Sequence, residues 1–317
     1  MRFSIIIPLY NKAPYVVKTI DSVLAQSYKD YEVVIVDDGS KDNSAEIALQ
    51  AIEGHENCHL LKQENAGVSV ARNNGVAASQ GEYLCFLDAD DWWESNYLEE
   101  MDRLISEFPD AGIYGTNYTI VNKSRHKTRI AHVGIDEGFE KGYINYCLVY
   151  AKTMYMPLWT GAVSMPRIVF DEMKGFPKGI KLGEDFMLWI RVALKYKVVF
   201  LNKPLAYYNQ DVELDNRGVG RLHQPKCHML WNLGFLDAEE RSNSDYKQLV
   251  DNIRTFSLYP YFLSKDYHDD AAQELAKVDW ERQLEKTRKQ YRQPLAWLRL
   301  KCLLARMGSK MKHMLKR

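Results

Sequence analysis

Between Arg2 and Leu87, apolar runs of strand length recur at intervals that each hold one helix, a rhythm that selects a layered sheet of parallel strands. Arg2 to Ile7 and Glu32 to Val36 are rich in β-branched residues, and between them Val16, Val17, Ile20, Val23 and Leu24 mark one face of a helix. A weaker strand signal lies at Cys58 to Leu61, followed by a helix from Val68 to Ala78. The run Tyr83 to Leu87 is almost continuously apolar, the pattern of a strand buried on both faces. Residues 1–115 are therefore expected to form a doubly wound α/β half-domain.

After Gly112 the periodicity loosens, and the polar, basic stretch from Asn122 to Arg129 reads as a hairpin or loop. Order returns in a helix from Glu184 to Lys195 and a strand from Lys197 to Leu201, so residues 116–220 are taken as the second half of the same domain. A helical region follows over 221–281. The last segment, 282–317, is set apart by Pro294 and by charge: it holds 12 of the 42 Lys and Arg but a single acid, Glu285, leaving 30 bases against 41 acids before it.

The whole chain of 317 residues carries no net charge. Pro8 interrupts the opening apolar run too early for a secretory pattern, and no run of about 18 apolar residues could span a bilayer. The 5 cysteines are scattered without Cys-x-x-Cys, which argues against a disulfide framework or a thiolate zinc site and for a reducing cytoplasm.

The apolar run at Tyr83 ends in Asp88-Ala89-Asp90-Asp91. Ligands of open α/β sheets bind outside the carboxyl ends of the strands, so Asp88 and Asp90 are placed to hold a hard divalent cation, Mn²⁺ or Mg²⁺, which in such a position carries phosphates. Asp91 with Glu94 is read instead as a capping box for a helix reaching Phe108. Asp37-Asp38-Gly39-Ser40, Asn65 and Gly67 are turn formers on composition alone. Arg72 near a helix start opposes the dipole there unless an anionic or carbonyl partner compensates.

Four segments, Ile5-Ile6-Ile7-Pro8-Leu9-Tyr10-Asn11, Val36-Asp37-Asp38-Gly39-Ser40, Asn65 to Gly75 and Leu87 to Asp91, follow one another in the order and spacing of a known family. They resemble the nucleotide-sugar-binding domain of GT-A family 2 inverting glycosyltransferases, and the resemblance covers about the first 215 residues. Downstream, Trp159-Thr160-Gly161 and Gly183-Glu184-Asp185-Phe186 to Arg191 match the acceptor half of that family.

The resemblance implies a nucleotide site of Pro8, Tyr10, Asn11, Asp38, Asn65, Gly67, Arg72 and Asp88, and a metal held by Asp90 with Asp88. Tyr10 offers a face for base stacking, and Asp38 an acceptor for the ring N–H of uracil, which favours a UDP-sugar. Thr160, Gly161, Glu184 and Trp189 are expected at the donor sugar or the acceptor. Asp185 resembles the general base; as a residue at a helix start it would otherwise be a cap. Asn209, Gln210 and Asp211 stand where many members carry a basic residue and a His, and His223 and His228, five apart, are read as structural rather than as phosphate contacts. No Gln-x-x-Arg-Trp motif of processive synthases occurs, so one sugar is expected per encounter.

The acceptor implied is a glycan or lipid-linked glycan of bacterial surface polysaccharide or lipopolysaccharide assembly, with no nucleic acid partner. The rival classes are a nicotinamide dehydrogenase, which lacks its Gly-x-Gly-x-x-Gly here, and a non-catalytic nucleotide- or glycan-binding protein that keeps the fold. Beyond Pro294, Leu295, Trp297, Leu298, Leu300, Leu303, Leu304, Met307, Met311, Met314 and Leu315 alternate with Arg and Lys, which suits a helix lying on the inner face of the cell membrane. The competing reading packs that helix on the acidic body or on a second subunit of a homo-oligomer.

Overall fold

The computed structural model describes residues 1–122, 127–211 and 222–314, with side chains as far as Leu304. It separates into two compact units, Met1–Leu233 and Gly234–Arg317. The break expected at residue 220 falls within 212–221, outside the described residues.

The first unit opens as a repeating strand and helix series: β1 (Phe3–Leu9), α1 (Val16–Leu24), β2 (Tyr31–Asp37), α2 (Ser44–Ala51), β3 (Cys58–Lys62), α3 (Val68–Ala77) and β4 (Tyr83–Phe86). These four strands are parallel in the order β3-β2-β1-β4. Every residue of β2 and of β4 is buried, as strands covered on both faces must be. Gly75 lets α3 press on the sheet, because a Cβ there would lie 2.5 Å from Ile6 Cγ2.

Pro8 shapes the crevice. Even-numbered residues of β1 face β4: Leu87 N–H donates to the carbonyl of Ile6 at 3.1 Å, while Asp38 N–H donates to that of Leu9 on the other side at 2.8 Å. The next donor toward β4 belongs to position 8, and proline has none. Pairing of β1 with β4 stops at Ile6↔Phe86, whereas pairing with β2 continues to Leu9↔Asp37. Asp88 to Asp91 are thereby released from the ladder.

The chain continues through β5 (Trp92–Trp93), α4 (Tyr97–Glu107), β6 (Ala111–Asn122), β7 (Lys127–Ile130), β8 (Lys141–Ile144), α5 (Tyr146–Thr153), β9 (Val163–Pro166), α6 (Arg167–Glu172), α7 (Glu184–Lys195) and β10 (Lys197–Asn209). β9 inserts antiparallel between β4 and β6, and β10 runs parallel to β6, giving the order β3-β2-β1-β4-β9-β6-β10-β5. Pro204 sits in β10 where the register to β6 shifts, the kind of irregularity a residue without an N–H requires.

Two sequence expectations change here, and one is narrowed. The boundary at 115/116 lies inside β6, a strand that the loosened periodicity concealed. Its burial is two-sided, so buried Thr116 and Asn117 interrupt the apolar run; Asn117 is satisfied by Asn202, 2.8 Å from its amide nitrogen. The strand expected to end at Leu201 extends to Asn209. Of the hairpin and loop readings of the basic stretch, antiparallel pairing of β7 with β6 supports the hairpin; residues 123–126 lie outside the described residues.

The second unit is helical: α8 (Asp237–Ser242), α9 (Ser244–Ser257), α10 (Tyr259–Leu263), α11 (His268–Leu275), α12 (Glu285–Tyr291) and α13 (Leu295–Met314). Asn243 caps α9 by accepting from the N–H groups of Asp245 and Tyr246. Tyr246, Leu249, Val250 and Ile253 form its core stripe, beside a buried Arg254 that Glu240, Asp251 and Glu274 neutralise. α13 buries Leu298, and Arg299 donates to the carbonyls of Leu263 and Ser264 at the end of α10. Trp297 (48%), Leu300 (44%), Leu303 (55%) and Leu304 (55%) remain exposed. The expected apolar contacts from Met307 onward lie beyond the described side chains, and no helix among the described residues is long and apolar enough to cross a membrane.

Candidate active site at the ends of the central strands

The loops that follow β1, β2 and β3 are tied into one wall. Asn11 takes a left-handed conformation (φ 51°), its N–H donating to Ser40 Oγ at 3.1 Å and its Oδ1 accepting from Lys41 N–H at 2.8 Å. Lys12 N–H donates to Ser44 Oγ at 2.7 Å. Tyr10 is 39% exposed. Asp38 is buried, and its Oδ1 accepts from Gln63 Nε2 (2.7 Å) and Ala66 N–H (2.8 Å) while Oδ2 accepts from Asn65 Nδ2 (3.2 Å) and Gly67 N–H (2.9 Å). A carboxylate has about four lone-pair sites, and all are used. Asp38 thus shapes the 63–67 loop, and a uracil N–H would reach it by taking the place of one of the two side-chain donors, Gln63 or Asn65.

Three carboxylates follow β4, each in a different state. Asp88 accepts from Arg72 Nη2 at 2.7 Å, and Asp90 from Lys12 Nζ at 2.6 Å. Burial pushes the Asp90 carboxyl up, Lys12 opposes this, and neighbouring Asp88 adds to the rise. Asp91 is the deepest, and burial followed by repulsion from Asp90 and Asp88 raises it well above the carboxylate range. The capping role read for Asp91 is not found. α4 starts only at Tyr97, and Asp91 Oδ1 instead accepts from Asn209 N–H at 2.7 Å, clamping β10 to this loop.

Arg72 joins these carboxylates to α7. Only 3% exposed, it donates through Nη1 to Glu184 Oε1 at 3.0 Å as well as to Asp88, and its guanidinium lies 5.0 Å from the Phe176 ring centroid. Burial works against its charge, but Asp88 and Glu184 outweigh that and hold the cation more firmly. The anionic partners that its place in α3 called for are these two acids. Glu184 itself is raised to about 7, by burial first and Asp185 second, with Arg72 opposing.

Next to it, Asp185 accepts from Thr160 Oγ1 at 3.0 Å through Oδ2 and from Phe186 N–H at 2.7 Å through Oδ1. The residue before α7 is Gly183, at φ 85°, where a Cβ would lie 2.2 Å from Met229 Sδ. Asp185 is the second residue of the helix and not its cap. The backbone of Gly161 supports the site from below, its carbonyl accepting from Trp93 Nε1 at 2.6 Å.

Trp189, expected at the sugar, is fully buried and packs on Phe86 and Phe176, with ring centroids 6.1 and 5.6 Å away. It forms the floor under Arg72. The tryptophan beside Thr160 that keeps part of its surface is Trp159, packed on Tyr118 and Tyr208 at 4.9 and 5.2 Å. His228 is buried, accepts from Leu230 N–H at 3.1 Å, and is lowered to about 4 by burial and then by His223, so it is a neutral structural group near pH 7. Among the described residues no three His, Cys, Asp or Glu side chains converge as a complete metal cage.

This geometry agrees with what comparison of the chain with known proteins finds. A family model described as Glycosyl transferase family 2 matches residues 4–157. Glycosyltransferase GlyG of Streptococcus pneumoniae serotype 4 is 35% identical over 271 residues, covering 83% of this chain and 87% of that protein. The chain belongs to glycosyl transferase family 2. It is a glycosyltransferase of the GT-A fold. Glycosyltransferase GlyA of the same organism is 36% identical over 215 residues, which is 65% of this chain but only 30% of that longer protein. In three dimensions the chain is similar to Staphylococcus aureus TarS 1–349, solved in complex with UDP-GlcNAc, with a TM-score of 0.68 at 19% identity over 87% of this chain and 79% of that one.

Within the family 2 enzyme, the residue that the sequence reading passed over is Lys12. It follows the Pro8-Leu9-Tyr10-Asn11 turn directly, yet its partner Asp90 lies 78 positions away. Only the parallel pairing of β1 with β4 brings the two loops together, and a single lysine after a turn carries no mark of that.

Proposed function

We propose that the enzyme transfers one sugar from a nucleoside diphosphate, UDP by preference, to a hydroxyl of a glycan or lipid-linked glycan acceptor, with inversion at the anomeric carbon. The observation that carries this reading is the Asp88–Arg72–Glu184 bridge, which sets the carboxylates after β4 beside Asp185 at the start of α7. Leaving-group side and acceptor side are then two ends of one charged network. The likeness in fold to a protein solved with UDP-GlcNAc, together with the exposed Tyr10, supports the uridine nucleotide.

Asp185 would take the acceptor's hydroxyl proton as that oxygen forms the new bond to the anomeric carbon. The bond from that carbon to the diphosphate breaks on the opposite face, and its electron pair leaves with the nucleotide. Thr160, donating to Asp185 Oδ2, fixes the carboxylate and leaves it room to accept the proton. The buried Trp189, Phe176 and Phe86 close the network from beneath, while the Asp88 end stays open to solvent and to a donor.

The donor set fits a hard divalent cation, Mg²⁺ or Mn²⁺. Asp88 and Asp90 supply oxygen ligands one residue apart, and an ion of this kind uses one or two carboxylates and takes the rest of its shell from phosphate and water. When bound, it would neutralise charge building on the leaving diphosphate. Exposed Trp297, Leu300, Leu303 and Leu304 on a strongly basic helix support docking on an anionic lipid surface, where a lipid-linked acceptor in surface polysaccharide assembly would be presented.

A donor screen by nucleotide release, run with Mn²⁺ and with chelator, tests the whole reading. Asp185→Asn should bind UDP and metal as the natural chain does but lose transfer by about 10² or more, as general bases typically contribute. Transfer per folded molecule unchanged in that variant would remove Asp185 from the chemistry.

A further inference from the structure

Within the helical unit, a cleft between α12 and α13 collects positive charge that no part of the transfer chemistry uses. Lys286, Lys289 and Gln290 of α12 and Leu298 and Lys301 of α13 line a cavity of about 540 Å³, together with Tyr259 from the start of α10. That volume is in the range of small-molecule sites. The ammonium of Lys289 meets Glu285 Oε1 at 2.6 Å, and that of Lys301 donates to Gln293 Oε1, a neutral carbonyl, at 2.7 Å. Lys286 has no partner among the described residues. Glu285 is the only acid in the lining, so three ammonium groups face one carboxylate. The Lys289–Glu285 pair is itself 72% and 69% exposed, which leaves it loose enough to rearrange around an anion.

The class of anion follows from what adjoins the cleft. Buried Leu298 gives it an apolar floor, and Lys301 Nζ lies 5.1 Å from the Trp297 ring centroid. Trp297, Leu300 and Leu304 share one face of α13, spaced by three and four positions, and all three are exposed. A basic basin therefore opens at Lys301 onto an apolar ramp. A free phosphate would use only the basin, whereas a membrane lipid uses both, its phosphate among the lysines and its glycerol and upper chains against the tryptophan and leucines.

We propose that the α12–α13 cleft is a binding site for the phosphate headgroup of an anionic phospholipid. This rests on the lipid-docking reading of α13 given above and goes beyond it. Diffuse attraction of a basic tail depends on how many charges it carries, while a built site depends on these three lysines and saturates at one lipid per chain.

Calorimetric titration of monomeric dihexanoyl-phosphatidylglycerol into the full chain tests the site away from any bilayer. The natural chain should bind one equivalent, and the triple variant Lys286→Gln, Lys289→Gln, Lys301→Gln should bind it about tenfold more weakly or worse. All three side chains are exposed, so the variant keeps its fold, which a coincident thermal melt checks. A matched triple, Lys310→Gln, Lys312→Gln, Lys316→Gln, removes the same charge from the tail outside the cleft and should bind the short lipid as the natural chain does. Equal loss in the two triples would overturn the proposal, as would the absence of saturable binding by the natural chain, or inorganic phosphate binding as tightly as the lipid. Sedimentation with phosphatidylglycerol vesicles separates the two readings: a full chain that stays in solution ends both, whereas a full chain that sediments, with the two triples equally impaired, ends the headgroup site alone.

Discussion

At Asp38, two oxygens hold four donors from one loop, and that commitment decides what its removal would do. Hydrogen bonds to a charged group contribute about 1.5–3 kcal/mol each, so Asp38→Ala should loosen residues 63–67 and weaken every nucleoside diphosphate by roughly tenfold or more. Calorimetry with UDP and GDP checks this; a loss confined to UDP would show direct reading of the base. Glu184 makes a second case. Its folded value of about 7 lies above the ordinary 4.5, so the folded chain binds more protons than the unfolded one between those limits, and stability falls as pH rises through that window. Glu184→Gln, neutral throughout, should gain on the natural chain by on the order of 2 kcal/mol between pH 5 and pH 8. Thermal melts of both at the two pH values read the difference, and a trend of opposite sign would mean that Arg72, not burial, governs Glu184.

Among the elements, α7 shows what a sequence can and cannot disclose. Its span from Glu184 to Lys195 was legible because Phe186, Leu188, Trp189 and Val192 mark a buried side and Gly183 a start. Which side each residue faces was less so: Trp189 was read as a sugar contact although its place in the helix points it at Phe86 and Phe176. β1, β2 and β4 announced themselves as apolar runs, while β6 did not, since Gly112 and Gly115 make room for Tyr196 and Leu158 and polar Thr116, Asn117 and Thr119 are buried within the strand. The aspartates after β4 were legible by position, their ion pairs were not, because Lys12 and Arg72 reach them only through tertiary contact. The left-handed Gly183 offers a test at this scale. Gly183→Ala should destabilise the chain by about 2 kcal/mol through the conformational cost and the crowding at Met229, and should lower transfer more than UDP affinity by displacing Asp185. A denaturant melt with parallel kinetics measures both, and an unaltered melt would show that the start of α7 can relax.

For the whole molecule, charge is divided along the chain: 30 bases against 41 acids before residue 282, and 12 bases with one acid after it. Each base near an anionic leaflet contributes on the order of 1 kcal/mol, and the exposed Trp297 and leucines of α13 add apolar contact. The full chain should sediment with anionic liposomes in a salt-sensitive way, and a chain ending near Tyr291 should not. Equal behaviour would exclude a lipid role for α13, and conversion to a monomer on truncation would assign the helix to a subunit contact. The missing hydrogen at Pro8 bears on the molecule as a whole in another way. A gap between two parallel strands tends to zip shut, since each rung of the ladder lines up donors for the next. In the register Ile6↔Phe86, the rung that would carry β4 onward through Leu87 needs a hydrogen at position 8, where the imino ring has none to give. The sheet therefore cannot heal across its own cleft, and the doorway through which a donor would enter is written into the backbone before any ligand is present.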